Sequence, residues 1–161
     1  MRQLNVFFDV DHTLVMWNGQ LRPHAHDVFK AITDAGHTIY VWSGVGIRHY
    51  DMKKHGLDIY VTRYFVKPLH DYRERLPAYK VDVMPDFVID DYPQVVEAFG
   101  GYHISDILKQ PEDRELLEVL RLVEEMANGE APEPDHAHEG TEVLAEGLSD
   151  LDDTVEPEGS E

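Results

Sequence analysis

The chain has 161 residues, enough for one domain with a real core, and its 32 acidic residues against 14 Lys and Arg leave a net charge of −18. It has no cysteine, which excludes a disulfide framework and a thiolate metal site. The charge is uneven: residues 128–161 hold 12 of the acids and no Lys or Arg, a net of −12, while residues 1–127 carry −6, and neither part has the basic footprint of a tight nucleic-acid binder.

In chain order, Leu4–Val10 is a nearly continuous apolar run, the pattern of a strand covered on both faces. Asp27–Ala35 repeats Val28, Ala31, Ile32 and Ala35 at helical spacing and is followed by Gly36 as a stop signal. Thr38–Trp42 is β-branched and aromatic, a second strand. Gly46–Lys54 is expected to be helical. Its Arg48, Lys53 and Lys54 cluster, which reads as a solvated face rather than a basic strip. Asp58–Val66 holds one or two short strands, and residues 69–80 are expected to be helical up to the interruption at Pro77. Phe87–Ile89 is a strand, Pro93–Ala98 a short helix with Pro in its first turn, and Tyr102–Ile104 a last strand. Pro111–Met126 is the clearest helix, with Leu116, Leu117, Leu120 and Val123 on one face and acids in the first turn.

Alternating strands and helices predict an α/β domain: a Rossmann-like, three-layer αβα sandwich around a mainly parallel sheet, spanning residues 1–127. From Asn128 the composition turns to Gly, Pro, Glu, Asp and Ser, the signature of a disordered acidic tail over 128–161, with at most a transient helical turn at Glu142–Leu148. The start of the chain lacks a signal-peptide pattern, because its apolar stretch is short and broken by Asp9 and Asp11. No apolar run is long enough to cross a bilayer, so a soluble cytoplasmic protein with no membrane partner is expected.

Four short stretches carry the chemistry: FFDVDHTLV at Phe7–Val15, VWSG at Val41–Gly44, VKP at Val66–Pro68 and VIDD at Val88–Asp91. Two carboxylates, Asp9 and Asp11, at the end of a buried strand are costly to fold without a cation to meet them. Asp9, Ser43 and Asp90 all fall at the carboxyl ends of strands, where parallel sheets bind ligands, and Lys67 follows a short strand. Taken singly, Ser43–Gly44 reads as a strand end and Asp90–Asp91–Tyr92–Pro93 as a turn and helix cap.

With all four stretches in this order, the chain resembles the haloacid dehalogenase-like (HAD) hydrolases over roughly residues 4–105. The resemblance implies that Asp9 is a nucleophile forming an aspartyl-phosphate. It makes Asp11 the general acid and then base, with a pKa raised by neighbouring carboxylates. Thr13 and Ser43 would supply hydroxyl donors, and Lys67 would neutralise charge on the nucleophile and the phosphoryl group. Asp9, Asp90, Asp91 and the backbone carbonyl of Asp11 would hold Mg²⁺. Members that cleave carbon–halogen bonds lack the second Asp, so Asp11 favours phosphoryl chemistry. His12 departs from the pattern, standing where many members have Gly.

The resemblance also makes the missing pieces informative. Many members insert a cap domain after the first motif or ahead of the lysine. Here the first place holds only VMWNGQL (Val15–Leu21), with Asn18–Gly19 as the centre of a two-residue hairpin turn, and the second has room for one helix and a strand. An uncapped site is expected, open to a phosphorylated substrate of any size or closed by another subunit of a homo-oligomer. Gly44 lies beside the substrate. Trp17, at the flap tip, is placed either to stack on a substrate ring or to pack on the base of the flap. Arg48, with His49, begins the helix after Ser43 and faces the mouth. The His24/His26 and His136/His138 pairs fall short of a structural zinc site. The leading expectation is a Mg²⁺-dependent phosphomonoesterase. The alternatives are a phosphatase of polynucleotide ends, against which the acidic balance argues, and a non-catalytic phosphate-binding protein whose acidic tail recruits a basic partner.

Overall fold

The structure, a computed structural model, describes residues 1–109 and 112–129. The expected tail from residue 130, with its turn at Glu142–Leu148 and the His136/His138 pair, lies outside the described residues. So does Pro111, the expected first residue of the last helix.

The elements run β1 (Asn5–Phe8), α1 (Ala25–Asp34), β2 (Thr38–Ser43), α2 (His49–Lys54), a 3-10 turn (Asp58–Tyr60), β3 (Val61–Val66), β4 (Phe87–Asp90), α3 (Pro93–Phe99), β5 (Gly101–His103) and α4 (Glu115–Ala127). The strands form one sheet in the order β3-β2-β1-β4-β5, every pair parallel. This is the Rossmann-like α/β architecture expected. From β1 the chain adds β2 and β3 on one side, then crosses to add β4 and β5 on the other. The crevice at the carboxyl end of β1 is therefore the topological switch point, the place where such sheets bind ligands.

Alternation along the strands divides the core into two layers. Val6, Phe8, Ile39, Val41 and Ile89 face α1 and α4. Phe7, Tyr40, Trp42, Phe65 and Val88 face the other way, against α3 and the segment bearing Leu76 and Val81. The second face is aromatic: the Phe7 ring lies 4.9 Å from Tyr40, 4.7 Å from Trp42 and 5.9 Å from Phe65. Among the described residues, no helix is long and apolar enough to cross a membrane.

Three expected helices differ. Residues 69–80 form a succession of turns, not a helix. Asp71 and Lys80 take left-handed backbone angles (φ 47° and 61°) and Pro77 interrupts between them, yet Leu76 and Val81 still reach the second core. The helix after Ser43 starts at His49 instead of Gly46, whose φ of 130° no helix accommodates. The last helix starts at Glu115, because the Asp113 carboxylate turns the chain there by accepting the Glu115 N–H at 3.1 Å.

The β4–β5 contact sets one tight requirement. A Cβ on Gly101, at φ +151°, would lie 1.9 Å from the Val88 carbonyl oxygen, whereas one on Gly19, at φ +85°, would meet nothing within 4 Å. Gly101→Ala should therefore destabilise the fold by about 3 kcal/mol or more, since strand separation has to give way. Gly19→Ala should cost only the left-handed backbone penalty of about 1 kcal/mol. Urea unfolding of the two variants beside the parent separates them. Equal losses would show that β5 yields easily.

Candidate active site

Asp9 follows β1 directly, and its backbone N–H donates to the Ile89 carbonyl at 3.0 Å, which ties it to the neighbouring β4. Past it the chain folds tightly on the Val10 carbonyl, which accepts the N–H groups of Thr13, Leu14 and Val15. His12 sits in this turn at φ 66°. That angle explains why glycine suits the position, and histidine is among the side chains that tolerate it best. The turn brings Thr13, fully buried, back over the strand end so that its hydroxyl donates to Asp9 Oδ2 at 3.0 Å. The expected substrate donor Thr13 is thus engaged by Asp9.

Lys67 joins the first and last motifs. Its backbone N–H donates to the Ser43 carbonyl at 2.9 Å, and its Nζ donates to Asp9 Oδ1 at 3.0 Å and Asp90 Oδ2 at 2.7 Å. Burial alone would lower the lysine pKa, but the charges of Asp9 and Asp90 outweigh it and hold the ammonium protonated well above its ordinary range. Asp90 is completely buried, with its other oxygen accepting the Tyr92 N–H at 2.9 Å. Burial, then the charge of Asp9, pushes the carboxyl of Asp90 up, and the same two causes push Asp91 up, aided by its hydrogen bond with Asp9. Oxygens of Asp9, Asp90 and Asp91 all lie within 4.8 Å of one another. A crowd of carboxylates that raise each other's pKa in this way is a fit site for a hard divalent cation, which takes oxygen ligands and relieves the repulsion.

Asp11 is held apart from that cluster. Its two oxygens accept both terminal nitrogens of Arg48, Oδ2 from Nη1 at 2.7 Å and Oδ1 from Nη2 at 2.9 Å. These hydrogen bonds hold its carboxyl below the ordinary range, against the burial that would raise it. The expectation of a raised Asp11 pKa is thereby corrected: an arginine, not the neighbouring carboxylates, dominates its surroundings. Arg48 also donates from Nε to Asp51 at 2.7 Å and from Nη1 to Ser43 Oγ at 3.2 Å, which places it between Asp11 and Ser43. Ser43 Oγ accepts a second N–H from Val45 at 3.2 Å, which leaves its own proton for an outside acceptor. A Cβ on Gly44 would stand 2.8 Å from Leu69 Cδ2, so the exposed Leu69 side chain would have to move to admit one.

The flap is short, with one change of geometry. Its closing pair is Met16–Gln20 (Met16 N–H to Gln20 carbonyl, 2.8 Å), and Gly19 donates back to Met16 at 2.8 Å with φ +85°. This is a three-residue loop, a turn centred on Trp17–Asn18 followed by a left-handed glycine, not the expected two-residue Asn18–Gly19 turn. Trp17 is 84% exposed, so it does not pack on the flap base. The His24/His26 pair takes other partners: His24 pairs with Glu112 at 2.8 Å and His26 donates to the His55 carbonyl at 2.7 Å.

Arg22 was missed at the sequence level. Its side chain is fully buried, and it donates to the Thr13 carbonyl at 2.6 Å, the His12 carbonyl at 3.2 Å, the Ser105 carbonyl and Asp113 at 2.9 Å. It clamps the turn after Asp9 to the segment leading into α4. Nothing local in Gln20–His24 marks it, because its partners are remote in sequence. Tyr92 was also unassigned. Its ring centre lies 6.0 Å from the Lys67 ammonium.

No protein-family model matches this sequence, and no curated protein matches it. Among solved structures, the core domain of a candidate phosphoglycolate phosphatase from Streptococcus pneumoniae aligns at a TM-score of 0.52 with 18% identity, covering 77% of this chain and 97% of that one. An uncharacterized protein from Listeria monocytogenes serotype 4b aligns at 0.41 with 13% identity, covering 55% and 68%. The first likeness supports the fold, the Rossmann-like α/β architecture described above; the second is too weak to argue from.

The carboxylate crowd has a consequence for stability. A carboxyl whose folded pKa lies above its unfolded value holds its proton better in the native state. Its contribution is full below the ordinary carboxylate pKa and drains away as pH rises through the raised value. In chelator, the protein should therefore lose thermal stability as pH climbs from about 4 through neutrality, and Asp91→Asn should flatten that slope. Melting temperatures across pH check this. A stability that rises over the same interval would contradict the crowding.

Proposed function

We propose that this chain is a Mg²⁺-dependent phosphomonoester hydrolase working through an aspartyl-phosphate on Asp9. The observation that carries the reading is Lys67 Nζ bridging Asp9 and Asp90 beside the three-carboxylate cluster, at the switch point of the sheet. The Streptococcus pneumoniae neighbour, a candidate phosphoglycolate phosphatase, supports the same class of reaction.

Asp9 attacks phosphorus, an acyl-phosphate bond forms, and the ester P–O bond breaks. Asp11, which the Arg48 pairing holds ionised, first leaves that pairing and takes a proton from solvent. It delivers this proton to the leaving oxygen, then takes one from the water that attacks the aspartyl-phosphate and releases inorganic phosphate. Lys67 keeps Asp9 oriented and offsets charge on the phosphoryl oxygens, and Ser43 donates its free hydroxyl proton to one of them. Thr13 fixes the rotamer of Asp9 by holding Oδ2. Asp9, Asp90, Asp91 and the Asp11 carbonyl would hold Mg²⁺, which supplies Lewis-acid stabilisation of the phosphoryl charge when bound.

Hydrolysis of p-nitrophenyl phosphate should require Mg²⁺, stop in EDTA, and fall by on the order of 10³-fold or more in Asp9→Asn. Turnover unchanged in Asp9→Asn would remove the nucleophile assignment. No turnover across a broad phosphomonoester panel would replace hydrolysis by phosphate binding.

A further inference from the structure

The grip of Arg48 on Asp11 says something about the substrate beyond its phosphate. Both oxygens of Asp11 are taken by the guanidinium, leaving neither directed to a leaving group. The pairing is fork to fork, the geometry in which arginine reads any oxyanion that offers two acceptors. The opposite edge of the guanidinium is fixed independently, by Nε to Asp51 at 2.7 Å, so its orientation survives the departure of Asp11. Its side chain retains 16% exposure and Asp11 49%, so the pair stands where a ligand reaches it.

We infer that Arg48 is a specificity-determining residue that receives a second anionic group of the substrate, and that the Asp11 carboxylate occupies that subsite while no substrate is bound. Arrival of the second anion takes over the two N–H groups and frees Asp11 to turn toward the ester oxygen. The spacing limits the substrate further. Arg48 Nη1 touches both Asp11 Oδ2, at 2.7 Å, and Ser43 Oγ, at 3.2 Å, and Ser43 faces the phosphoryl group. The two anionic groups therefore bind within one guanidinium width of each other. The substrate class is a short phosphomonoester whose carboxylate or second phosphate lies one to three atoms from the ester oxygen. The surrounding field opposes such a ligand, since Asp9, Asp51, Asp90 and Asp91 are all close by, so any preference for it has to come from Arg48.

This inference rests on the hydrolase reading, and its test is a ratio. Hydrolysis of carboxymethyl phosphate is compared with that of its neutral isostere, carbamoylmethyl phosphate, and ethane-1,2-diol bisphosphate with 2-hydroxyethyl phosphate. All four are assayed with Mg²⁺ on the full chain and on Arg48→Gln and Arg48→Lys. The parent should favour the anionic member of at least one pair by tenfold or more in kcat/KM, and the pair showing it tells carboxylate from phosphate. Arg48→Gln should abolish or invert the preference, because the acidic field then acts alone, and Arg48→Lys should keep part of it. Both substrates are read on one preparation, so partial unfolding cancels in the ratio. Equal preference in the parent, or a preference untouched by Arg48→Gln, overturns the Arg48 assignment and leaves the hydrolase reading standing. No turnover of any of the four, nor of p-nitrophenyl phosphate, overturns both.

Discussion

Everything in this molecule is arranged around the ammonium of Lys67, buried between Asp9 and Asp90. Taking carboxylates from water into a protein costs several kcal/mol per ion after relaxation. A single cation about 4 Å from a carboxylate returns about 4 kcal/mol at an effective dielectric near 20. One lysine shared by two carboxylates therefore comes close to offsetting their burial, but a third, Asp91, tips the balance. Burial first, and then the negative charge of Asp9, pushes its carboxyl and that of Asp90 up, so Lys67 does not offset the whole cluster. A divalent cation is the natural complement, and the sheet supplies the donors in one crevice because β1 and β4 are adjacent and parallel.

The same constraint explains how the scaffold is reinforced. The turn carrying His12 and Thr13 would be a poor support by itself, with a left-handed histidine and exposed carbonyls. Arg22 fills that need from below. Its guanidinium satisfies the carbonyls of His12, Thr13 and Ser105 and is neutralised by Asp113. A buried ion pair of this kind is weak evidence for stability and better evidence for a fixed geometry. Asp113 in turn starts α4, whose apolar face packs with α1 on the sheet. The position of Thr13 over Asp9 is thus continuous with the packing of the last helix.

The strands and the motif residues were legible in the sequence because each depends on local pattern. Apolar runs end in a carboxylate, a serine or an Asp pair, and a parallel sheet brings strand ends together. Helix starts were less legible. Pro111 and the first-turn acids suggested a start that Asp113 displaces by forming a turn with its own side chain. The turns at 69–80 keep apolar residues at helix-like spacing while Asp71 and Lys80 adopt angles a helix excludes. What stayed hidden were contacts across the sequence: Arg22 to Ser105 and Asp113, and Arg48 to Asp11. Charge pairing over tens of residues leaves no periodic trace, so the identity of the group nearest Asp11 was open to either sign, and the structure gives the positive one.

That sign changes the character of the site. If Asp11 is the proton donor, as proposed, crowding by carboxylates would keep it ready at all times, whereas the grip of Arg48 keeps it out of use until something else occupies the arginine. Among the described residues the flap does not impose this restraint: it is a three-residue loop with Trp17 exposed. If the site runs the proposed aspartyl-phosphate chemistry, it gains selectivity when its acid is withheld until the right ligand binds. On that reading selectivity resides in the occupancy of Arg48 within the crevice.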